Sequence, residues 1–210
     1  MTTEPITQNG ETATPARLDE GSRALLFTHA RTANTFSSIP VGDDELENIW
    51  ELARWAPTSA NSQPLRVLFV RTEEGKARLV AHMDEKNRAK TLSAPAVAVL
   101  AADTEWHEQI PVIIPHRPEA KKIFDANAAA RGEIAQFNSI LQAGYFILAV
   151  RAAGLAAGPM GGFDGPGIDA EFFKGTPLKT ILVVNIGHPG ENPWFPRLPR
   201  LDHDEVVGWA

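Results

Sequence analysis

The sequence contains no cysteine. That absence excludes disulfides, thiolate metal sites, iron–sulfur clusters and cysteine nucleophiles, so any redox chemistry has to come from a bound organic cofactor or a metal held without sulfur. Basic residues are not in excess either: 20 Lys and Arg against 26 Asp and Glu give a formal charge of −6. This is the wrong sign for a general nucleic-acid binder. The N-terminal stretch MTTEPITQNGETATPA has no apolar core of the kind a secretory signal carries. The longest apolar runs, such as APAVAVLAA over 94–102, are too short to span a bilayer. A soluble, cytoplasmic protein with neither a nucleic-acid nor a membrane partner is expected. The G-x-x-x-x-G-K-[ST] and G-x-G-x-x-G patterns are missing, and so is H-E-x-x-H or any i, i+4 pair among the six histidines. These absences give no support to an ATP loop, a dinucleotide turn or a histidine metal site, and no metal is expected.

What is present is ordinary globular material, 43% hydrophobic and 22% charged over 210 residues, which fits a single domain. Residues 1–17 read as a disordered tail rich in threonine, proline and glutamate. The domain then covers 18–210, with an extended C-terminal arm from about 188. A helix is expected over 19–30, and another from Asp43 or Asp44 to the stop at Pro57, with Asp44 and Glu47 as its capping pair. Strands are expected over 66–71, 94–103 and 180–187, and a helix over 73–83. The longest periodic segment is a helix over about 130–153. Its core stripe is read as Ile134, Phe137, Ile140, Leu141, Gly144, Tyr145, Leu148 and Ala152, and Gly154 caps its end. Residues 154–167 read as a glycine-rich loop with no strand leading into it, followed by a short helix to Phe173. Trp50, Trp55, Phe69 and Phe36 read as core. Segment 104–128 gives no clear pattern. No internal repeat is visible, and helices and strands are interspersed without strict βαβ alternation. The expected architecture is therefore a mixed sheet with helices on both faces. Four prolines among the last 23 residues, with Trp194, Phe195 and Trp209, describe an arm whose aromatic anchors need a surface, and a partner subunit is the economical one.

Three polar or glycine-rich stretches flank these elements: ARTANTF (30–36), PTSANSQP (57–64) and GPMGGFD (158–164). FPRLPR (195–200) adds two arginines. Singly, each has an ordinary reading as a helix stop, a connector or a solvated surface. Together they describe a ligand. Arg31 and Arg200 can clamp a phosphate, and Thr32 and Asn34 add neutral donors. Asn61 and Gln63 can meet the edge of a heterocycle without adding charge, and Gly161 and Gly162 let backbone N–H groups approach a flat ring.

The order R-T-x-N-x-F, P-T-S-A-N-S-Q-P, G-P-M-x-G-F-D, F-P-R-x-P-R-L resembles the FMN-dependent nitroreductase family, and more narrowly its malonic semialdehyde reductase-like subgroup linked to pyrimidine degradation. The resemblance runs from about residue 20 to 207. It implies an α+β, nitroreductase-like three-layer sandwich: a mixed, mainly antiparallel central sheet between helical layers, in an intertwined homodimer with FMN at the interface. It implies FMN contacts at Arg31, Thr32 and Asn34, and at Pro57, Thr58, Ser59, Asn61 and Gln63. Further contacts fall on Pro159, Met160, Gly161 and Gly162, where the backbone bonds flavin N5, and on Arg197 and Arg200. Asn34 stands where most members have Lys or Arg, Met160 where many have an acid, and Leu198 where a second basic residue lies, with Arg197 as its substitute. The implied chemistry is ping-pong hydride transfer from NADH or NADPH through flavin N5 to a small acceptor: a malonic semialdehyde-type aldehyde, an enone, a quinone or a nitro compound. No catalytic side chain is required. A flavin carrier or sensor without turnover, on the same scaffold, is the alternative. Arg117, His107 and His116, in the unreadable segment, are candidates for reaching a substrate carboxylate from a lid.

Overall fold

The computed structural model describes residues 16–210, so the N-terminal tail up to residue 15 lies outside the described residues. Contacts divide the chain into a short unit ending at Ala30 and a main unit, Arg31–Ala210. The short unit holds α1, Glu20–Arg23, capped by the Asp19 carboxylate on the Ser22 N–H (2.8 Å), and a π turn over Ala24–Thr28.

In the main unit the order is α2 (Asp43–Ala53), β1 (Leu65–Val70), α3 (Glu73–Val80), α4 (Glu85–Ser93) and β2 (Ala96–Asp103). It continues with α5 (Ile110–Ile113), α6 (Lys121–Asp125), α7 (Ala128–Ala152), β3 (Ala156–Met160), α8 (Gly165–Phe172), β4 (Leu178–Gly187) and α9 (His203–Val206). The strands lie in the order β1-β2-β4-β3, and every pairing is antiparallel. The parallel pairing that a mixed sheet would contain is not found among the described residues.

β2 is buried at all eight positions, and its alternation sorts the core into layers. Ala96, Ala98 and Leu100 face α2 and α7, where Ile49, Phe146 and Val150 meet them. Val97, Val99 and Ala101 face the opposite layer with Leu79, Met83, Ile168 and Phe173. A third cluster forms where the sequence shows no pattern. Trp106, Ile110, Ile114 and Ala120 fold onto Ala135 through short helical turns, and the Trp106 ring lies edge-on to Phe124 at 4.9 Å.

Three expectations change. GPM is not loop: Ala156–Met160 pairs with β4 as an edge strand, reached from α7 through Gly154 at φ +80°. Its proline is tolerable because an edge strand has one unpaired side. The second change concerns α7. Its buried residues are Ala135, Asn138, Ser139, Gln142, Ala143, Phe146, Ala149 and Val150, mostly small and polar side chains with Phe146 as the one large ring among them. The expected stripe is turned outward, with Phe137 62% and Ile140 56% exposed, and Trp55 is 77% exposed. Two faces of this helix share one period, and periodicity alone did not say which one the chain itself covers. The cap of α2 also differs: the Gly42 N–H is bonded by the Glu45 carboxylate at 2.8 Å, two positions before the Asp44 and Glu47 pair. No helix among the described residues is long and apolar enough to cross a membrane.

Leu100, fully buried on the central strand, offers a direct check on this layering. Leu100→Ala should lower unfolding stability by about 3 kcal/mol through lost burial and a cavity, measured by urea denaturation.

Candidate functional site

The first group of site residues is built on β3. The Ala33 N–H donates to the Ala157 carbonyl at 3.0 Å, laying residues 31–36 across the strand. The crossing is close: a Cβ on Gly158 would stand 2.8 Å from the Ala33 carbonyl oxygen. The C-terminal arm follows the same segment. The Ser37 N–H bonds the His188 carbonyl, the Gly190 N–H bonds Thr35, and the Asn34 N–H bonds Pro193, each at 3.0 Å. Arg31 Nη1 then donates to the Phe195 carbonyl at 3.2 Å. Arg31, Thr32 and Asn34 are thereby brought together with the strand of Pro159 and with the arm. Arg200 lies farther along and bonds the carbonyls of Leu198 and Pro199 (3.0 and 3.2 Å). Arg197 and Arg200 are exposed on the arm, and Arg31 and Arg200 are held by different carbonyls.

The glycines of this group are not equivalent. A Cβ on Gly161 would meet nothing within 4 Å, whereas one on Gly162 would strike the Asp84 carboxylate and come within 2.8 Å of Asn87 Nδ2. Gly162 is needed for packing, since its carbonyl accepts from the Asp84 N–H (3.1 Å) and from Asn87 Nδ2 (2.9 Å). Gly161 is the one that leaves its backbone approachable. The Met160 side chain is buried; its sulfur takes the Thr91 hydroxyl at 3.9 Å and Asn185 Nδ2 at 3.7 Å. It therefore points into the core and does not present itself beside Gly161.

The second group is the PTSANSQP loop, entering β1 at the opposite edge of the sheet. Ala60, Asn61 and Gln63 have φ of 52°, 50° and 42°, a left-handed run that non-glycine residues rarely adopt. The loop is held from several sides. Asn138 Oδ1 accepts from the Ser59 N–H at 2.7 Å, and Gln142 Oε1 accepts from the Leu65 N–H at 2.9 Å. Thr58 Oγ1 accepts from the Gln63 N–H (3.2 Å). Arg66 donates to the Gln63 carbonyl (2.9 Å) while its other nitrogen meets Asp103 at 2.7 Å. Asn61 Nδ2 reaches across to the Ile113 carbonyl at 2.8 Å, tying the loop to segment 104–127.

That segment places the three lid candidates differently. His116 and Arg117 are exposed at its tip, with Arg117 Nε 3.9 Å from Glu119. His107 is 2% exposed and faces inward, with Asp125 Oδ1 3.2 Å from Nε2 and Glu105 Oε2 3.5 Å from Nδ1. Burial beside Trp106 keeps it off the exposed tip where His116 and Arg117 stand. Lys121 closes the cluster through Asp125 (2.6 Å) and Glu108 (3.0 Å). The Lys121 hydrogen bond lowers the Asp125 carboxyl pKa, and the Asp125 and then Glu108 bonds raise that of Lys121. The Asp125 contribution is present above the ordinary carboxylate pKa and lost as pH falls through its lowered value. The Lys121 contribution is full below the ordinary lysine pKa and lost as pH rises through its raised one. The bridge therefore holds across the neutral range.

Sequence reasoning missed Asn138, Gln142 and Arg66. Asn138 and Gln142, one turn apart within the apolar middle of α7, were the signal available for the first two.

Residues 28–188 match the model of the nitroreductase family. A protein of Streptomyces coelicolor with the provisional name NADH dehydrogenase/NAD(P)H nitroreductase is 59% identical over 194 residues, covering 92% of this chain and 96% of its own. Among solved structures, the nitroreductase-type protein ydfN of Bacillus subtilis superposes with a TM-score of 0.81 at 22% identity, over 90% of this chain and 99% of that one. One from Exiguobacterium sibiricum, in complex with FMN, gives 0.77 at 22% identity over 94% of this chain and 100% of its own.

The close crossing at Gly158 can be tested. Gly158→Val should push Ala33 off the strand, lower stability by about 2 kcal/mol by overpacking and raise hydrogen exchange at the Ala33 amide.

Proposed function

The chain belongs to the nitroreductase family, and from that premise we propose that it is an FMN-dependent oxidoreductase passing hydride from NADH or NADPH to a small acceptor, as a homodimer with the flavin in the subunit interface. The observation that carries this reading is the placement of the two site groups. Leu65 pairs with Ala102, which pairs with Lys179, while Met160 pairs with Val183. The loop and the end of β3 thus lie toward the same end of the sheet on opposite edges, three strand spacings or about 14 Å apart across the sheet, with four residues of β4 between their levels. Both groups can border one ring at hydrogen-bond distance when the loop of one copy faces the β3 group of another.

The donor set fits the cofactor. Arg31, Thr32, Asn34, Arg197 and Arg200 offer cationic and neutral donors for a phosphate. Gly161 leaves a backbone N–H approachable, and the 57–64 loop carries no charge. When bound, FMN supplies the hydride-carrying ring that no side chain provides. The protein's own part is to grip the phosphate, orient the ring's polar edge through Asn61 and Gln63, and exclude water. The outward apolar faces support association. Phe137, Ile140, Leu141 and Tyr145 on one side of α7 are exposed large apolar side chains, as are Trp55, Phe195 and Trp209, and such residues favour an interface. For the acceptor, a small carboxylated aldehyde of the malonic semialdehyde type is favoured by exposed His116 and Arg117, a few residues beyond the Ile113 carbonyl that holds Asn61.

The visible spectrum of the purified protein, recorded anaerobically before and after NADH and then NADPH, tests the reading. A yellow protein that bleaches, and recovers colour with an acceptor, is expected; yellow without bleaching would mean a carrier, and a protein that stays colourless with added FMN would refute flavin binding. Sedimentation of the same sample as a flavin-loaded monomer would refute the shared site. Arg200→Ala should weaken FMN binding about tenfold or more, because a phosphate loses charge-assisted bonds; unchanged affinity would remove Arg200 from the phosphate site.

A further inference from the structure

We propose that Asn138 and Gln142, on α7, are positioning residues that hold the 57–64 loop in the shape that presents Asn61 and Gln63 to the flavin; this rests on the flavin reading above. Both amides are 1% exposed, on the helix face that meets the sheet. Buried amides are costly there unless they are hydrogen-bonded, and Ala, Leu or Met would pack the same face without that requirement. Each amide is instead bonded to a backbone N–H, one inside the loop and one at the first residue of β1, where the loop ends. Asn138 gives its Nδ2 proton to the Ile134 carbonyl at 2.8 Å, and its Oδ1 takes the Ser59 N–H at 2.7 Å. One turn along, Gln142 Oε1 takes the Leu65 N–H at 2.9 Å.

Ser59 and Leu65 bracket the strained run. Between them lie all three of the loop's positive-φ residues, Ala60, Asn61 and Gln63. Each such residue is uphill by about 1 kcal/mol or more, and persists only where the surroundings over-determine it. The bonds inside the loop, Asn61 N–H to Thr58 and Ser62 N–H to Ser59 (both 3.1 Å), shape the turn. They leave open where the turn sits. The two helix amides fix that, pinning the loop at both ends to the most regular element of the fold. Both of these anchors are uncharged, and the charged group that also bonds the loop, Arg66 at the Gln63 carbonyl, is paired with Asp103.

The test compares Asn138→Leu and Gln142→Met, near-isosteric replacements that remove the acceptors, with Phe146→Leu, which weakens the same helix without bonding the loop. Three quantities are read: FMN affinity of flavin-stripped protein by fluorescence titration, the flavin midpoint potential, and amide hydrogen exchange at Ser59 and Leu65. The expected result is about tenfold weaker FMN binding, a shifted potential and faster exchange at those two amides in the Asn138 and Gln142 variants. Phe146→Leu should lose thermal stability with FMN affinity unchanged. If the amide variants behave as Phe146→Leu does, with affinity, potential and exchange at Ser59 and Leu65 unaltered, the two residues are structural only and the proposal fails. Wild-type exchange gives an independent arm that needs no variant: Ser59 and Leu65 amides should be the protected ones in the loop, and rapid exchange at both would overturn the proposal. A wild type that binds no flavin would sink the functional reading and this inference with it. Flavin-binding wild type with unaffected variants would sink this inference alone.

Discussion

Complete burial of β2 is the constraint on which the rest of the structure depends. A strand covered on both faces needs a layer on each side, and its alternating residues assign α2 and α7 to one layer and α3 and α8 to the other. With β2 and β4 in the middle, β1 and β3 are left as edges. The motif stretches can only sit where chain leaves these edges, so the arrangement that makes the core sound also separates the two halves of the candidate site.

α7 links these levels. Its inner face sets small residues and amides, with Phe146 and Val150, against the sheet and the loop, while its outer face carries Phe137, Ile140, Leu141 and Tyr145. A helix with two apolar faces has one covered by its own chain and one that needs another surface. The same division runs through the arm, whose first part, His188 to Pro193, is tied by backbone hydrogen bonds to residues 34–37, with the Arg31 side chain on the Phe195 carbonyl, and whose Phe195 and Trp209 rings remain exposed.

Much of this was legible in the sequence, for identifiable reasons. β2 announced itself as an uncharged apolar run, and Gly154 as a helix cap, because burial on two faces and a positive φ each demand particular residue types. β3 did not. Five residues containing Gly and Pro carry no strand signal of their own, and the pairing with β4 that makes them a strand is entirely tertiary. The phase of α7 was misread because both of its faces satisfy the helical period. The 57–64 loop was recognised by composition, but its left-handed backbone was not. Ala60 has no intrinsic reason to adopt φ 52°, and the side chain that bonds its neighbour Ser59 comes from Asn138, 79 residues farther along the chain. Segment 104–128 stayed opaque since its helical turns are too short for periodicity to show, although Trp106 and Ile110 turn out to be fully buried.

The inward turn of Met160 has a further consequence. A protein that handles electrons in air is exposed to oxidants of its own making, and sulfur is the element in side chains that they attack first. Susceptibility follows exposure. This chain has no cysteine, and Met83 and Met160, the methionines among its described residues, are 2% and 5% exposed. The thioether closest to Gly161 along the chain is sealed beneath the strand, its sulfur engaged by Thr91 and Asn185. The main unit thus offers almost no sulfur to peroxide, a durability against self-inflicted oxidation that follows from which way one side chain points.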